Sequence, residues 1–258
     1  MSFRSALSHV LSSTIEPSAE ETGARGRFPR ASVTALGEAG LLGLTVATDL
    51  GGGGLGLTEA AEVVTDVSRA CPATGAVVRS HYAAVAFIEA YGSHWMRRKV
   101  AVGLHLGTLA LTDADDAGTP GAAPSPTGST ATRTGDVVAL RGRKRDVVGA
   151  GEADSYIWSS PPAHGGKGPS LWLVPADAPG LFVPARPSGD GPRGSGTSTV
   201  YADPVLLPAG ALLERDGEAD GLLSTVRAWL ADVHRGGRIA HRGARGPRTR
   251  LTARPGPR

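Results

Sequence analysis

The chain has 258 residues, of which 40% are hydrophobic and 20% charged, with a formal net charge of +3. This balance is typical of a globular protein of one large or two ordinary domains. The lack of an apolar run long enough for a membrane helix, and of an apolar leader, predicts a cytoplasmic protein with no membrane partner. The single cysteine, Cys71, excludes an intrachain disulfide and a cysteine-based zinc site.

The positive charge is concentrated near the C-terminus. Nine arginines and one aspartate lie from Arg227 onward, whereas the rest of the chain is net negative. A basic segment can bind nucleic acid by neutralising phosphates, but a segment of Arg, Gly and Pro without aromatic residues is more typical of a solvated tail. We therefore predict a disordered basic tail at residues 247–258 and no nucleic-acid partner.

The first part of the chain predicts an N-terminal α-helical domain, residues 1–104. Apolar residues recur with helical spacing in three segments, which begin near Pro29, at Thr58 as N-cap and at Thr74. A short fourth helix is predicted to start after Ser93 and to continue through Val100. The second segment places five residues on one buried face: Ala60, Val63, Val64, Val67 and Cys71.

The next part predicts a middle β domain, residues 105–208. Short strand-like runs alternate there with turn residues, which is typical of a β-barrel or sandwich. The predicted strands are residues 106–111, 137–141, 155–159, 171–174, 181–184 and 198–202, with surface loops at 113–135, 161–170 and 185–197. Helical spacing returns from Leu222 to Val233, which predicts a helical segment at residues 209–246 with little to pack against.

Two segments carry a family resemblance. Residues 109–119 read LALTDADDAGT, and residues 142–154 read GRKRDVVGAGEAD. They resemble LTEPxAGSD and GxKxWITNGGxAD in the middle domain of the acyl-CoA dehydrogenase family, and further similar segments follow the family's order over about residues 28–244. The resemblance implies an α+β fold: an N-terminal α-helical bundle, a β-barrel or sandwich middle domain, and only the start of a C-terminal helical bundle.

The resemblance also implies FAD as cofactor. In the family, the two turns supply hydroxyls and backbone amides to the isoalloxazine ring. Asp146 and Val148 stand where the family has Trp and Thr. A carboxylate therefore replaces an aromatic wall and a methyl replaces a hydroxyl, and both changes are expected to lower the affinity for FAD. The positions matching flavin contacts are Leu109, Leu111, Thr112, Gly118, Thr119, Asp146, Val147 and Val148.

The implied reaction is α,β-dehydrogenation of an acyl-CoA or acyl-carrier-protein thioester. In the family a carboxylate removes the α-proton while a hydride passes from the β-carbon to the flavin, helped by hydrogen bonds to the thioester carbonyl and by desolvation of the base. That base is a glutamate on the C-terminal bundle, and no residue here matches it, so no catalytic residue is predicted. We expect activity to be impaired or to depend on homo- or hetero-oligomers with acyl-CoA dehydrogenase-like subunits.

Other functions stay open at this stage. The chain could be a catalytically silent remnant or binding subunit that keeps the fold without the flavin, or a relative in the flavin monooxygenase branch, which needs no glutamate base. Gly51, Gly53 and Gly56 satisfy GxGxxG, but no acidic residue follows about twenty positions later. A loop between two helices is therefore favoured over a dinucleotide site.

A few polar residues have competing interpretations. His81 lies on an apolar helix face and is expected in the core or at a subunit contact rather than as a base. His234 and His241 are seven residues apart without a carboxylate cluster, so no metal site is predicted. Arg193 and Ser195 match a family loop that contacts FAD phosphates or a partner subunit, and a solvated loop explains them equally well.

Overall fold

The computed structural model describes residues 2–114, 128–162, 168–187, 189–213 and 220–243, with side chains of the last helix described through Val233. Helices α1 to α6 come first, the strands follow, and helix α7 comes after the last strand, as the α+β prediction expects. The helices are α1 (Phe3–Val10), α2 (Glu16–Arg25), α3 (Arg30–Glu38), α4 (Leu57–Ala70), α5 (Pro72–Tyr91), α6 (His94–Ala101) and α7 (Asp220–Gly243). The strands are β1 (Gly107–Ala110), β2 (Thr130–Thr134), β3 (Val137–Val147), β4 (Ser155–Ser160), β5 (Ser170–Pro175), β6 (Leu181–Phe182) and β7 (Ser198–Pro208).

The predicted helices form with small corrections at their starts. Helix α4 is capped by Gly56, not by Thr58, and the Glu59 carboxylate accepts a hydrogen bond from the Gly56 N–H at 3.0 Å. Pro29 is the N-cap of α3 rather than a first-turn residue. Ser93 caps α6 as predicted, because its hydroxyl accepts from the Met96 N–H. The predicted apolar face of α4 is buried throughout.

The strands form two stacked sheets. The first has the order β1-β4-β5, with β1 parallel to β4, and the second is antiparallel with the order β2-β3-β7-β6. Tyr156 and Trp158 of β4 fill the space between the sheets, whereas Ile157 faces the helices. The described strands therefore build a sandwich rather than a closed barrel, and burial of both faces of β4 explains why three large apolar residues, Tyr156, Ile157 and Trp158, follow one another without alternation.

Three features differ from the sequence-based expectations. Helices α1 and α2, joined by a π-helical turn at Leu11–Ile15, were not predicted. Strand β2 lies inside the predicted surface loop at 113–135. Helix α7 packs against α4 and α5, with Trp229 Nε1 donating to the Leu57 carbonyl at 2.8 Å, so the expectation that it has little to pack against is wrong.

The predicted domain boundaries after residues 104 and 208 fall between α6 and β1 and at the end of β7, and they stay predictions. Within the described part of the chain, no helix has both the length and the hydropathy that spanning a bilayer requires.

Candidate functional site

The beginnings of the two predicted flavin turns lie side by side. The Arg145 N–H donates to the Thr112 carbonyl at 3.0 Å, and Asp113 pairs with Lys144 as an isolated antiparallel bridge. The end of β1 and the end of β3 therefore meet, although 32 residues separate Asp113 from Arg145 in sequence. Gly118 and Thr119, the other predicted contacts of the first turn, lie outside the described residues.

Three of the predicted flavin contacts share one side of the β sandwich. Leu109, Leu111 and Val148 are half-buried and pack against the helical core. The Thr108 hydroxyl fixes their relative position, since it donates to the Val148 carbonyl at 2.6 Å and lies 2.8 Å from the Ser80 hydroxyl of α5. We call Leu109, Leu111 and Val148 the apolar strip. Thr112 follows the strip and is exposed to solvent.

The other two described contacts point elsewhere. The Val147 side chain is 1% exposed and packs between the two sheets, so a ligand could reach only its backbone. Asp146 adopts a φ of 56°, and its carboxylate accepts from Arg145 Nη1 at 2.5 Å and from the Asp190 N–H at 3.3 Å. The carboxylate is therefore held by the loop around Asp190, and its charge is partly balanced by the guanidinium of Arg145.

Lys144 and Arg145, whose backbones pair with Asp113 and Thr112, differ in how their side chains are bonded. Lys144 is fully buried and paired with Asp113 at 2.8 Å. The Nε of Arg145 is buried and finds no hydrogen-bond partner among the described residues. A buried donor without an acceptor is costly, so this atom is a candidate for contact with a ligand.

A flavin ring needs apolar contact along its face and polar groups along its pyrimidine edge. The apolar strip supplies the first, and the exposed Thr112 next to it offers a hydroxyl for the second. Val148 adds no hydroxyl, so the second turn offers fewer polar contacts than the family sequence does. The described residues fit a flavin through the strip and the Thr112 end of the site.

The loop around Ser195 supports the second turn. Its backbone carbonyl accepts from the Gly149 N–H at 2.9 Å, and its buried hydroxyl lies 2.6 Å from the Thr197 hydroxyl. Arg193 is exposed and lies over Gly26, in the turn after α2. These contacts make Ser195 a structural residue of the turn.

Two buried histidines lie where β1 meets the helices. His81 Nε2 contacts the Leu42 carbonyl at 2.9 Å, and its Nδ1 accepts from the Gly107 N–H at 3.2 Å. Burial lowers the pKa of His81 to about 4. His105 Nε2 lies 2.7 Å from the Ser155 hydroxyl, and burial lowers its pKa as well. His81 is thus a core residue, as predicted, whereas no sequence pattern indicated the pairing of His105 with Ser155.

Sequence reasoning missed the polar residues that support the site. Ser80, Thr108, Lys144 and Ser159 carry the side-chain hydrogen bonds that join α5, β1, β3 and β4. Only Lys144 had a signal, because it stands at the lysine position of the matched GxK segment. The serines and threonines have no recognisable pattern in the sequence.

A separate cleft of roughly 460 Å³ opens between α1 and the segment after α3. Phe3, Ala6, Leu41, Leu44 and Leu55 are among its lining residues. None of the predicted flavin contacts lines it, so the flavin prediction assigns it no role.

Comparisons with known proteins agree with this fold. Residues 1–107 match the family model described as acyl-CoA dehydrogenase, N-terminal domain. The chain is 30% identical over 197 residues to the short-chain specific acyl-CoA dehydrogenase of Homo sapiens mitochondria, covering 74% of this chain and 47% of that protein. It is 29% identical over 210 residues to an acryloyl-CoA reductase (NADH) of Anaerotignum propionicum, covering 79% and 53%.

The solved structure of butyryl-CoA dehydrogenase from Megasphaera elsdenii superimposes with a TM-score of 0.80 at 18% identity, covering 94% of this chain and 65% of that one. At that identity the likeness shows the fold. The chain spans about half the length of the curated relatives that it matches. The matched N-terminal domain, the curated relatives and the shared fold together show that this chain belongs to the acyl-CoA dehydrogenase family.

Proposed function

We propose that this chain is part of an FAD-dependent oxidoreductase that removes hydrogen from the α and β carbons of an acyl-CoA or acyl-carrier-protein thioester. The observation that carries the proposal is the apolar strip next to Thr112, formed where β1 and β3 end. The similarity to proteins named for acyl-CoA substrates supports the substrate class. A cytoplasmic location belongs to the same proposal.

In this proposal each described residue has a limited task. Leu109, Leu111 and Val148 contact the ring face and exclude water from it, while the Thr112 hydroxyl bonds the pyrimidine edge. The flavin, when bound, supplies the hydride acceptor. Gly118 and Thr119 are assigned to the turn that approaches the ring, Val147 contributes backbone only, and Asp146 lies at the margin of the site.

The general base is assigned to no described residue. The curated relatives share only about half of their length with this chain, and we propose that the base lies outside the matched part. It would then act in an oligomer with acyl-CoA dehydrogenase-like subunits. We expect the chain without such a partner to bind flavin more readily than it turns over a thioester, because proton abstraction needs the base and flavin contact does not.

A second candidate is a binding subunit that keeps the fold without the flavin. Val148 favours it, since a methyl there removes the hydroxyl that the family's second turn offers to the ring. The two candidates differ in one observable property, the flavin content of the folded protein.

Absorption spectroscopy separates the two candidates. The purified protein is incubated with FAD, desalted and scanned for flavin bands, and Thr112→Val is compared with Thr132→Val, an exposed threonine on β2. The proposal expects FAD to be retained by the wild type and the control and bound more weakly by Thr112→Val. A colourless protein in all three cases favours the binding subunit.

Anaerobic addition of an acyl-CoA then tests the reaction class. Direct bleaching of bound flavin supports dehydrogenation. Flavin that stays oxidised with acyl-CoA, even with added acyl-CoA dehydrogenase-like subunits, contradicts the proposed reaction and leaves the monooxygenase branch.

A further inference from the structure

The most deeply buried charge near the candidate site belongs to Lys144 on β3. Its side chain is fully buried, and the ammonium lies 5.4 Å from the centre of the Trp158 ring. Burying an ammonium ion costs several kcal/mol unless charged and polar partners surround it. The partners therefore show what the buried charge holds in place.

Those partners belong to the segments on either side of residues 115–127. Lys144 Nζ contacts Asp113 Oδ1 at 2.8 Å and donates to the Ser159 hydroxyl at 3.0 Å. Ser159 in turn donates to the Leu111 carbonyl at 2.9 Å. Asp113 Oδ1 also accepts from the backbone N–H of Ser129 at 3.2 Å and from its hydroxyl. One ammonium thus connects residues 111–113, residue 129 and β4.

The connected backbone carries proposed flavin contacts. Leu111 belongs to the apolar strip, and the Thr112 carbonyl accepts from the N–H of Arg145, the residue after Lys144. The charge pair and its hydrogen bonds tie this backbone to defined atoms of β3 and β4, whereas an apolar pair of the same volume would hold it by packing alone. Buried ion pairs often add no stability over apolar residues, and in some proteins they are retained because they specify a position.

We propose that Lys144, through Asp113 and Ser159, is the positioning residue of the flavin site. It holds Leu111 and Thr112 at the distance from Val148 that a flavin ring requires, and it does not touch the flavin itself. This inference rests on the proposed flavin function. The experiment therefore distinguishes failure of the positioning role of Lys144 from failure of flavin binding itself.

The test uses the double variant Lys144→Met/Asp113→Asn in the full chain. Methionine keeps most of the buried volume, and asparagine can still accept from Ser129, so no unpaired charge is left inside. The matched control is Arg141→Met/Asp203→Asn. It removes an exposed ion pair between the neighbouring strands β3 and β7, in which Arg141 Nη1 lies 2.5 Å from Asp203 Oδ1. Ser159→Ala is the milder second variant, for use where the double variant does not fold, because it keeps the Lys144–Asp113 pair and removes only the hydroxyl that links Lys144 to the Leu111 carbonyl.

Two measurements are made on each protein. Amide hydrogen exchange is followed at Arg145, whose N–H bonds to Thr112, and at Ile157 inside the first sheet as a reference. FAD affinity is followed by quenching of flavin fluorescence, with visible circular dichroism of the bound flavin. We expect faster exchange at Arg145 alone and at least about a tenfold rise in the Kd for FAD, with the control unchanged on both measurements.

Unchanged exchange at Arg145 overturns the inference, because the charge pair then does not hold the backbone of residues 111–113. Faster exchange with an unchanged Kd also overturns it, since the held position then does not matter to flavin. A wild type that binds no FAD refutes the proposed function, and the positioning role falls with it. The exchange data would still show in that case whether the charge pair holds the backbone of residues 111–113. Failure of the flavin function and failure of the positioning role therefore remain distinct.

Discussion

Acid should destabilise this protein in a manner that is traceable to His81. The side chain is fully buried, its Nδ1 accepts a hydrogen bond from the Gly107 N–H, and burial lowers its pKa to about 4 from an ordinary value of 6.5. Between these two pH values His81 is protonated in the unfolded chain and neutral in the folded chain. Stability due to His81 is therefore complete above pH 6.5 and is lost as the pH falls towards 4.

The size of the effect follows from the shift. A difference of about 2.5 pH units, at about 1.4 kcal/mol each, amounts to about 3.5 kcal/mol in full, of which about 3 kcal/mol is lost by pH 4, where half of the folded histidine is protonated. That loss is a large part of the 5–15 kcal/mol that is usual for a domain. His81→Gln removes the titrating group, so its unfolding free energy should fall less steeply with pH than that of the wild type.

The assay is urea denaturation of both proteins at several pH values from 7.5 to 4. At pH 7.5 the variant should be less stable by about 1–3 kcal/mol, because the bonds to Leu42 and Gly107 are disturbed. This difference should shrink steadily as the pH is lowered. His94→Gln, at an exposed histidine, is the control and should track the wild type. A gap between wild type and His81→Gln that stays constant down to pH 4 would refute the reasoning.

Three further substitutions test the packing, each by its effect on the free energy of unfolding in urea. Trp229→Phe removes the bond from Nε1 to the Leu57 carbonyl and should cost about 1–2 kcal/mol; an unchanged value would mean that α7 is not docked on α4. Gly43→Ala should cost about 1–3 kcal/mol, because its Cβ would lie 2.1 Å from the Ala101 carbonyl oxygen. Gly23→Ala, inside α2 with no atom within 4 Å of the new Cβ, should gain about 0.5–1 kcal/mol, and a loss there would show that α2 is not a regular helix.

Elements with an uninterrupted apolar period were predictable from the sequence. Helix α4 has buried residues at the expected spacing, and β4 and β5 each contain a short run of consecutive apolar residues, 156–158 and 171–174. The two N-terminal helices were not predicted because the π-helical turn at Leu11–Ile15 interrupts the helical period of the apolar residues. The buried residues are Leu7 and Val10 before the turn and Ile15 at its end. Strand β2 escaped because it is polar and mostly exposed, so pairing with β3 rather than burial defines it.

The candidate site was predictable in its place but not in the direction of its side chains. Matched segments identified the ends of β1 and β3, yet strict alternation from Lys144 would turn Asp146 inward with it. The register instead shifts between Lys144 and Val147, which pair with Val200 and Ser198, so one extra residue is accommodated on β3.

Asp146 occupies that bulge with a positive φ, a conformation that Asp tolerates better than most residues, and its carboxylate turns to Arg145 and the loop at Asp190. Val147 takes the buried place between the sheets, and Val148 reaches the helix-facing side. The bulge therefore turns the Asp146 carboxylate, which replaces an aromatic wall in the matched segment, to partners of its own. The loss at Val148 is not compensated in this way, since a methyl cannot donate a hydrogen bond in any register, and the affinity for FAD depends on whether the Thr112 hydroxyl makes up for it.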